Sequence, residues 1–230
     1  MIQLKSFFNF LEKKKISFFT GVPDSILKEF SIYINKNKIN HILATNEGSA
    51  VALANGYYLS KKKLPAIYLQ NSGLSNAINP LVSISHKKVY SIPSLLIIGW
   101  RGAPGSKDEP QHLTKGLITR DLLRLLGIKF CILKNTKDLN NLSKLIDYSK
   151  KNKTPVACLI KKDTFPKNKK KLKKEKKNYI KRDYFIKELL SKIKKNSKII
   201  STTGYISRDL FRLSSDFQKK NNFYVVGGMG

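Results

Sequence analysis

Two carboxylates stand directly after short apolar runs of strand length: Asp24 follows residues 16–20 in TGVPDS, and Glu47 follows residues 41–45 in ATNEGS. An amide-rich stretch, Asn71, Ser72, Gly73, Asn76 and Asn79, follows the run 65–70, and Arg101 opens the segment after 94–99 that also holds Lys107 and His112. Carboxylates so placed suit general acid-base work, and arginine, lysine and histidine together suit an anionic ligand. Each also has an ordinary structural reading. Asp24 before Ser-Ile-Leu is a strong N-cap, a glutamate opening a helix complements the helix dipole, and Asn-Ser-Gly is good turn chemistry. A lone loop histidine is most often a bystander.

The elements that must position these groups follow from hydrophobic periodicity. Runs at 16–20, 41–45, 65–70, 94–99, 128–133 and 155–160 alternate with helical-period segments at 24–34, 47–60, 72–86, 118–126 and 139–150. That alternation predicts an α/β fold, a doubly wound and mostly parallel six-stranded sheet with helices on both faces, over residues 1–165. In such sheets ligands collect outside the carboxyl ends of the strands, which is where the polar, glycine-rich segments fall. Residues 166–181 are a lysine-rich linker with almost nothing apolar to bury. Beyond it, helical periods at 183–194 and 205–213 and strand runs at 198–201 and 223–226 predict the start of a second α/β domain over 182–230.

A formal net charge of +30 would ordinarily point to nucleic acid or an anionic membrane. Arginine, the residue base readers favour, occurs only at positions 101, 120, 124, 182, 208 and 212. No helix-turn-helix, zinc-finger or RNP signature is present, so the lysine excess reads as solvated surface and no nucleic acid partner is expected. Cys131 and Cys158 each sit in an apolar run and read as buried strand residues. The start of the chain is too polar for a signal sequence and no run approaches the ~18 apolar residues of a membrane helix. A cytoplasmic protein without a membrane partner is expected.

Five stretches, TGVPDSILKEF, ATNEGSAVALANGYYL, YLQNSGLSNAINPL, IPSLLIIGWRGAPGSKDEPQH and ISTTGYISRDLF, together resemble the phosphonopyruvate decarboxylase family. These are thiamine diphosphate-dependent decarboxylases whose near relatives are the sulfopyruvate decarboxylases. The resemblance implies a pyrimidine-binding domain followed by a diphosphate-binding domain, and a homo-oligomer with active sites between subunits. It implies a small 2-oxoacid substrate, with 3-phosphonopyruvate converted to phosphonoacetaldehyde and carbon dioxide. By the same resemblance Glu47 is the carboxylate that hydrogen-bonds a ring nitrogen of the cofactor's aminopyrimidine, and Asp24 lies near the substrate and its proton relay. Arg101, Lys107 and His112 become the substrate-binding candidates, with His112 also catalytic, although relatives carry a histidine pair in this loop and here there is one. Asp108 and Glu109 are expected to point away or to pair with Lys107. Asn71, Ser72, Gly73 and Asn76 correspond to a cofactor-facing segment, and Gly227 and Met229 to the turn that holds and bends the aminopyrimidine.

Such enzymes bind the diphosphate through Mg²⁺, using an aspartate in a Gly-Asp-Gly turn, with hard oxygen ligands as that ion requires. Gly-Asp-Gly occurs nowhere in the sequence. The expectation is therefore the amino-terminal portion of a decarboxylase, without metal ligands of its own and inactive until a diphosphate-binding domain completes it. Two alternatives stand beside it: a subunit of a sulfopyruvate or other 2-oxoacid decarboxylase, and a non-catalytic interaction or polyanion-binding fragment.

Overall fold

Alternate residues of the central strands serve opposite faces of one sheet, and this arithmetic sets the architecture. In β3 (Ala66–Gln70) Ala66 and Tyr68 join one core while Ile67 and Leu69 join the other; in β4 (Leu95–Gly99) and β6 (Val156–Ile160) the same alternation holds, and all three strands are buried on both sides. The computed structural model describes residues 1–167, 179–194, 196–202, 204–217 and 222–224. The chain divides into two compact units, 1–169 and 170–230.

In the first unit β1 (Phe19–Gly21), β2 (His41–Leu43) and β5 (Lys129–Leu133) complete a six-stranded sheet of order β2-β1-β3-β4-β6-β5, parallel at every pairing. Helices α1 (Leu4–Lys13), α2 (Lys28–Lys36) and α6 (Leu139–Asn152) close one face through Phe7, Phe30 and Ile146. On the other face lie α3 (Glu47–Lys61), α4 (Leu74–Pro80) and α5 (Pro110–Leu125), packed through Val51, Leu74 and Leu123. The fold is the doubly wound α/β sheet that the periodicity predicts.

Several boundaries differ from expectation for local reasons. The strand expected from residue 16 begins at Phe19, because Ile16 closes α1: Lys15 takes a left-handed φ of 59° and Ile16 N donates to Leu11 O at 3.0 Å. Helix α5 begins at Pro110, whose missing N–H is harmless in a first turn, and not near residue 118. The single helix expected at 72–86 is three pieces: a 3₁₀ turn at Asn71–Gly73, α4, and a π-helical turn at Leu81–Ser85 just after Pro80. Cys158 is buried, but its register partner Cys131 lies on an edge strand and is only partly covered, a correction to its expected burial. Burial pushes the Cys131 thiol up to about 12 and raises Cys158 well above its ordinary value, which disfavours the thiolate at both.

The second unit contains α7 (Arg182–Lys192), β7 (Ile200–Ser201), α8 (Tyr205–Ser214) and β8 (Phe223–Tyr224), with β7 and β8 parallel. Ile186, Leu190, Leu210 and Leu213 form its apolar cluster, and Arg182 Nε donates to Asp209 Oδ2 at 2.6 Å between the two helices. Positions 168–178 of the expected linker, 225–226 of the expected last strand, and Gly227 and Met229 lie outside the described residues. Among the described residues no helix is long and apolar enough to cross a membrane.

Candidate active site

Glu47 owes its position to the residue before it. Asn46 is extended, and its Oδ1 accepts a hydrogen bond from Ser49 N at 2.8 Å, which starts α3 with Glu47 in the first turn. The glutamate is only 9% exposed, and its Oε2 accepts from Asn76 Nδ2 at 3.0 Å. The other oxygen lies over Gly73, where an added Cβ would come within 1.9 Å of Oε1. Gly48 permits the same close approach from the α3 side, since a Cβ there would meet Asn76 O at 3.1 Å. The carboxylate is thus held by α4 and packs directly on the backbone at Gly73, where glycine leaves room for it.

Asn71 does something its position did not suggest. Its Nδ2 donates to Arg101 O at 3.0 Å and to Thr119 Oγ1 at 2.9 Å, while its Oδ1 accepts from Arg101 N at 3.0 Å. Both amide hydrogens are therefore engaged inside the protein, and the side chain ties the ends of β3 and β4 to α5. Ser72 Oγ accepts from Gln70 Nε2 at 2.6 Å. Next to this clamp, Trp100 Nε1 donates to Gly116 O at 2.9 Å and Gly102 takes a φ of +64°. A Cβ on Gly102 would lie 1.9 Å from His112 O, so the β4 terminus and α5 meet backbone to backbone.

A second group of ionisable side chains gathers after β1 and β4. Asp24 Oδ2 accepts from Ile26 N at 2.9 Å and Leu27 N at 3.2 Å, and the carboxyl packs on Gly99, where a Cβ would come within 2.0 Å of that oxygen. Burial raises the Asp24 pKa above the usual carboxylate value, and the backbone N–H groups and the charge of Arg101 only partly oppose it. Arg101 Nε donates to Asp108 Oδ2 at 2.8 Å, Nη2 pairs with Oδ1, and Nη1 donates to Ser25 Oγ at 2.9 Å. Asp108 also accepts from Gly102 N at 2.8 Å. The guanidinium first, and these backbone donors with it, hold the Asp108 carboxyl well below its ordinary range. The expected partner of Asp108 was Lys107; the partner found is Arg101, whose fork reaches both carboxylate oxygens.

His112 is not on a loop but in the first turn of α5, 4% exposed, and its Nδ1 has no hydrogen-bond partner among the described residues. Burial first, and then the charge of Arg101, lower its pKa, which favours the neutral imidazole. The structure therefore gathers Asp24, Arg101 and His112 with Asp108, and separately Glu47 with Gly73 and Asn76; the turn Asn71–Gly73 runs between the two groups. Lys107 forms no ion pair among the described residues and lines a cleft of about 490 Å³ with Ser25 and Arg101. Thr119 and Lys162 were not singled out by sequence reasoning. Lys162 had a usable signal, since it follows the carboxyl end of β6.

The Glu47 cradle suits an aminopyrimidine: a carboxylate oriented by an amide, at a turn where glycine leaves room for the carboxylate itself. Among the described residues no group of three or more His, Cys, Asp or Glu side chains stands together.

A parallel doubly wound sheet with a cradled glutamate at its carboxyl edge is the frame of a thiamine diphosphate enzyme, and comparison with known proteins agrees. Residues 4–122 match the thiamine pyrophosphate enzyme N-terminal TPP binding domain, and the chain belongs to that family. A phosphonopyruvate decarboxylase of Streptomyces viridochromogenes is 32% identical over 91% of this chain and 56% of its own length. A sulfopyruvate decarboxylase subunit alpha of Methanococcus maripaludis is 36% identical over 63% of this chain and 86% of its own. The crystal structure of benzoylformate decarboxylase from Polynucleobacter necessarius shares the fold at a TM-score of 0.56 and 19% identity, over 90% of this chain and 40% of its own. The chain thus spans little more than half the length of the phosphonopyruvate decarboxylase it matches.

Proposed function

We propose that this chain is the pyrimidine-binding part of a decarboxylase that converts 3-phosphonopyruvate to phosphonoacetaldehyde and carbon dioxide, with thiamine diphosphate and Mg²⁺. The observation that carries the reading is the Glu47 carboxylate, fixed by Asn76 and facing Gly73. When bound, thiamine diphosphate supplies the electron sink that makes loss of carbon dioxide from a 2-oxoacid feasible. Glu47 serves the aminopyrimidine as hydrogen-bond partner, and Asn76 keeps the carboxylate oriented. Asp24 offers a proton-holding oxygen at Oδ1, which accepts only a long bond from Ser25 Oγ at 3.5 Å among the described residues, whereas Oδ2 is occupied by the N–H groups of Ile26 and Leu27. His112, favoured as neutral imidazole, supplies a ring nitrogen, Nδ1, with no hydrogen-bond partner among the described residues. Arg101, held by Asp108, presents its remaining Nη1 face toward Ser25 and the cleft. Asn71 acts through Arg101 and is a positioning residue.

The diphosphate and Mg²⁺ are held, in this reading, by a diphosphate-binding domain whose Gly-Asp-Gly turn this sequence does not contain, while Gly227 and Met229 contribute to the pyrimidine turn. The active sites form between subunits of a homo-oligomer, which the exposed apolar side chains Leu113, Leu117 and Ile118 on α5 support. Two cysteines without a disulfide suit a cytoplasmic location. The test is to supply the diphosphate-binding half of a phosphonopyruvate decarboxylase in trans and assay phosphonoacetaldehyde formation with cofactor and Mg²⁺. Turnover with phosphonopyruvate is expected; its absence with every 2-oxoacid tried contradicts the reading.

A second reading, a sulfopyruvate decarboxylase subunit, is favoured by the Methanococcus relative, 86% of whose length aligns here. Preference for sulfopyruvate in the same assay would select it.

A further inference from the structure

The cleft of about 490 Å³ opens at the carboxyl ends of β1, β4 and β6, and its walls carry five cations against three carboxylates. Two of those carboxylates are matched: Asp108 holds Arg101, and Asp163 lies 3.7 Å from Lys167. Lys28, Lys107 and Lys162 form no ion pair among the described residues, and Glu29 is the one remaining acid on the wall. Lys107 and Lys162 also line a neighbouring cleft of about 220 Å³, which places both on the wall the two spaces share. Arg101, the group that residue type would nominate for an anion, already donates from Nε and Nη2 to Asp108 and from Nη1 to Ser25, with its charge matched by the Asp108 carboxylate.

We propose that Lys28, Lys107 and Lys162 form the seat for a tetrahedral oxyanion at the far end of the substrate, a phosphonate or a sulfonate, and that the Asp108-held Arg101 only shapes the wall beside it. This rests on the decarboxylase reading above and assigns the part of the site that recognises what lies beyond the 2-oxoacid. Lysine can do this. A tetrahedral oxyanion presents acceptor oxygens in several directions, which rotatable ammonium donors meet one at a time, and the guanidinium fork of Arg101 is already engaged by the Asp108 carboxylate. Three of the chain's lysines, none of them in an ion pair among the described residues, thus line one concavity at the carboxyl ends of the strands.

The experiment is equilibrium binding of phosphonoacetate, and in a parallel arm sulfoacetate, to the 230-residue chain at low ionic strength, which needs neither cofactor nor turnover. Saturable binding is expected, weakened about 10-fold in Lys107→Ala and in Lys162→Ala, as loss of one charge-assisted contact implies, and unchanged in Lys61→Ala on the far end of α3. Tighter binding of one arm names the oxyanion. Equal binding by all three variants overturns the assignment, and so does the absence of saturable binding by the parent chain. Either result is independent of the decarboxylation assay, so a failed seat and a failed enzyme reading are told apart.

Discussion

A methyl group placed on Gly73 would lie 1.9 Å from Glu47 Oε1 and 2.2 Å from its carboxyl carbon. The absence of a side chain at the turn after β3 is therefore what leaves room for the carboxylate at the start of α3. Gly73 has φ −78°, which any residue adopts, so alanine there strains no backbone and acts only by displacing Glu47. In the assembly completed with a diphosphate-binding half, Gly73→Ala is expected to lower kcat/KM by about 100-fold, the scale of a catalytic group misplaced by an ångström. Far-UV circular dichroism should stay unchanged. Activity within about 2-fold of the parent would show that the carboxylate does not need this space.

Asn71 and Arg101 exchange a reciprocal pair of hydrogen bonds that, with Thr119, anchors the end of β4. Asn71→Ala removes three hydrogen bonds at once, one buried and two partly buried, and takes the amide partner from Arg101 C=O, while Arg101 N keeps Gly99 O at 3.3 Å. Urea unfolding should show a loss of about 2–4 kcal/mol, above the typical single-bond cost because three bonds are lost together. A loss under about 0.5 kcal/mol would mean that water replaces the amide readily.

The two aspartates of the second group predict opposite pH trends. Asp108 has a folded pKa below its ordinary 3.8, so its contribution to stability is present at neutral pH and is lost as pH falls below that value. Asp24 has a folded pKa above 3.8, so its contribution is complete at acid pH and is lost as pH rises through the raised value. Relative to the parent, Asp24→Asn should therefore gain stability on going from about pH 3 to about pH 7, while Asp108→Asn should lose it. Urea midpoints across that range measure both, and parallel curves for the two variants would contradict the assigned environments.

These contrasts also show what could be read before any coordinates. The strict apolar run of β3, β4 and β6 made the parallel sheet legible, because strands buried on both faces have no polar positions to blur them. Asn46-Glu47 announced a helix start, and the start is where it was expected. By contrast α5 was missed over its first two turns, because its buried face there carries His112, Gly116 and Thr119, which meet Gly102, Trp100 and Asn71 and so break the apolar period. The Arg101–Asp108 pair was equally hidden. Lys107 is adjacent in sequence to Asp108, and only the fold of the loop decides that a carboxylate seven positions away from an arginine finds it instead. Asn71 was legible as a polar group at the right edge but not as a clamp, since its partners come from β4 and α5.

The central claim is that Glu47 acts as the cofactor's carboxylate partner, and one substitution tests it most directly. Glu47→Gln keeps the volume and an oxygen able to accept from Asn76 but removes the charge and the proton-handling group. Phosphonopyruvate decarboxylation by the completed assembly, measured with saturating thiamine diphosphate and Mg²⁺, is expected to fall by at least about 1000-fold with the fold and unfolding midpoint retained. Turnover of the Gln variant at the parent's rate would contradict the account.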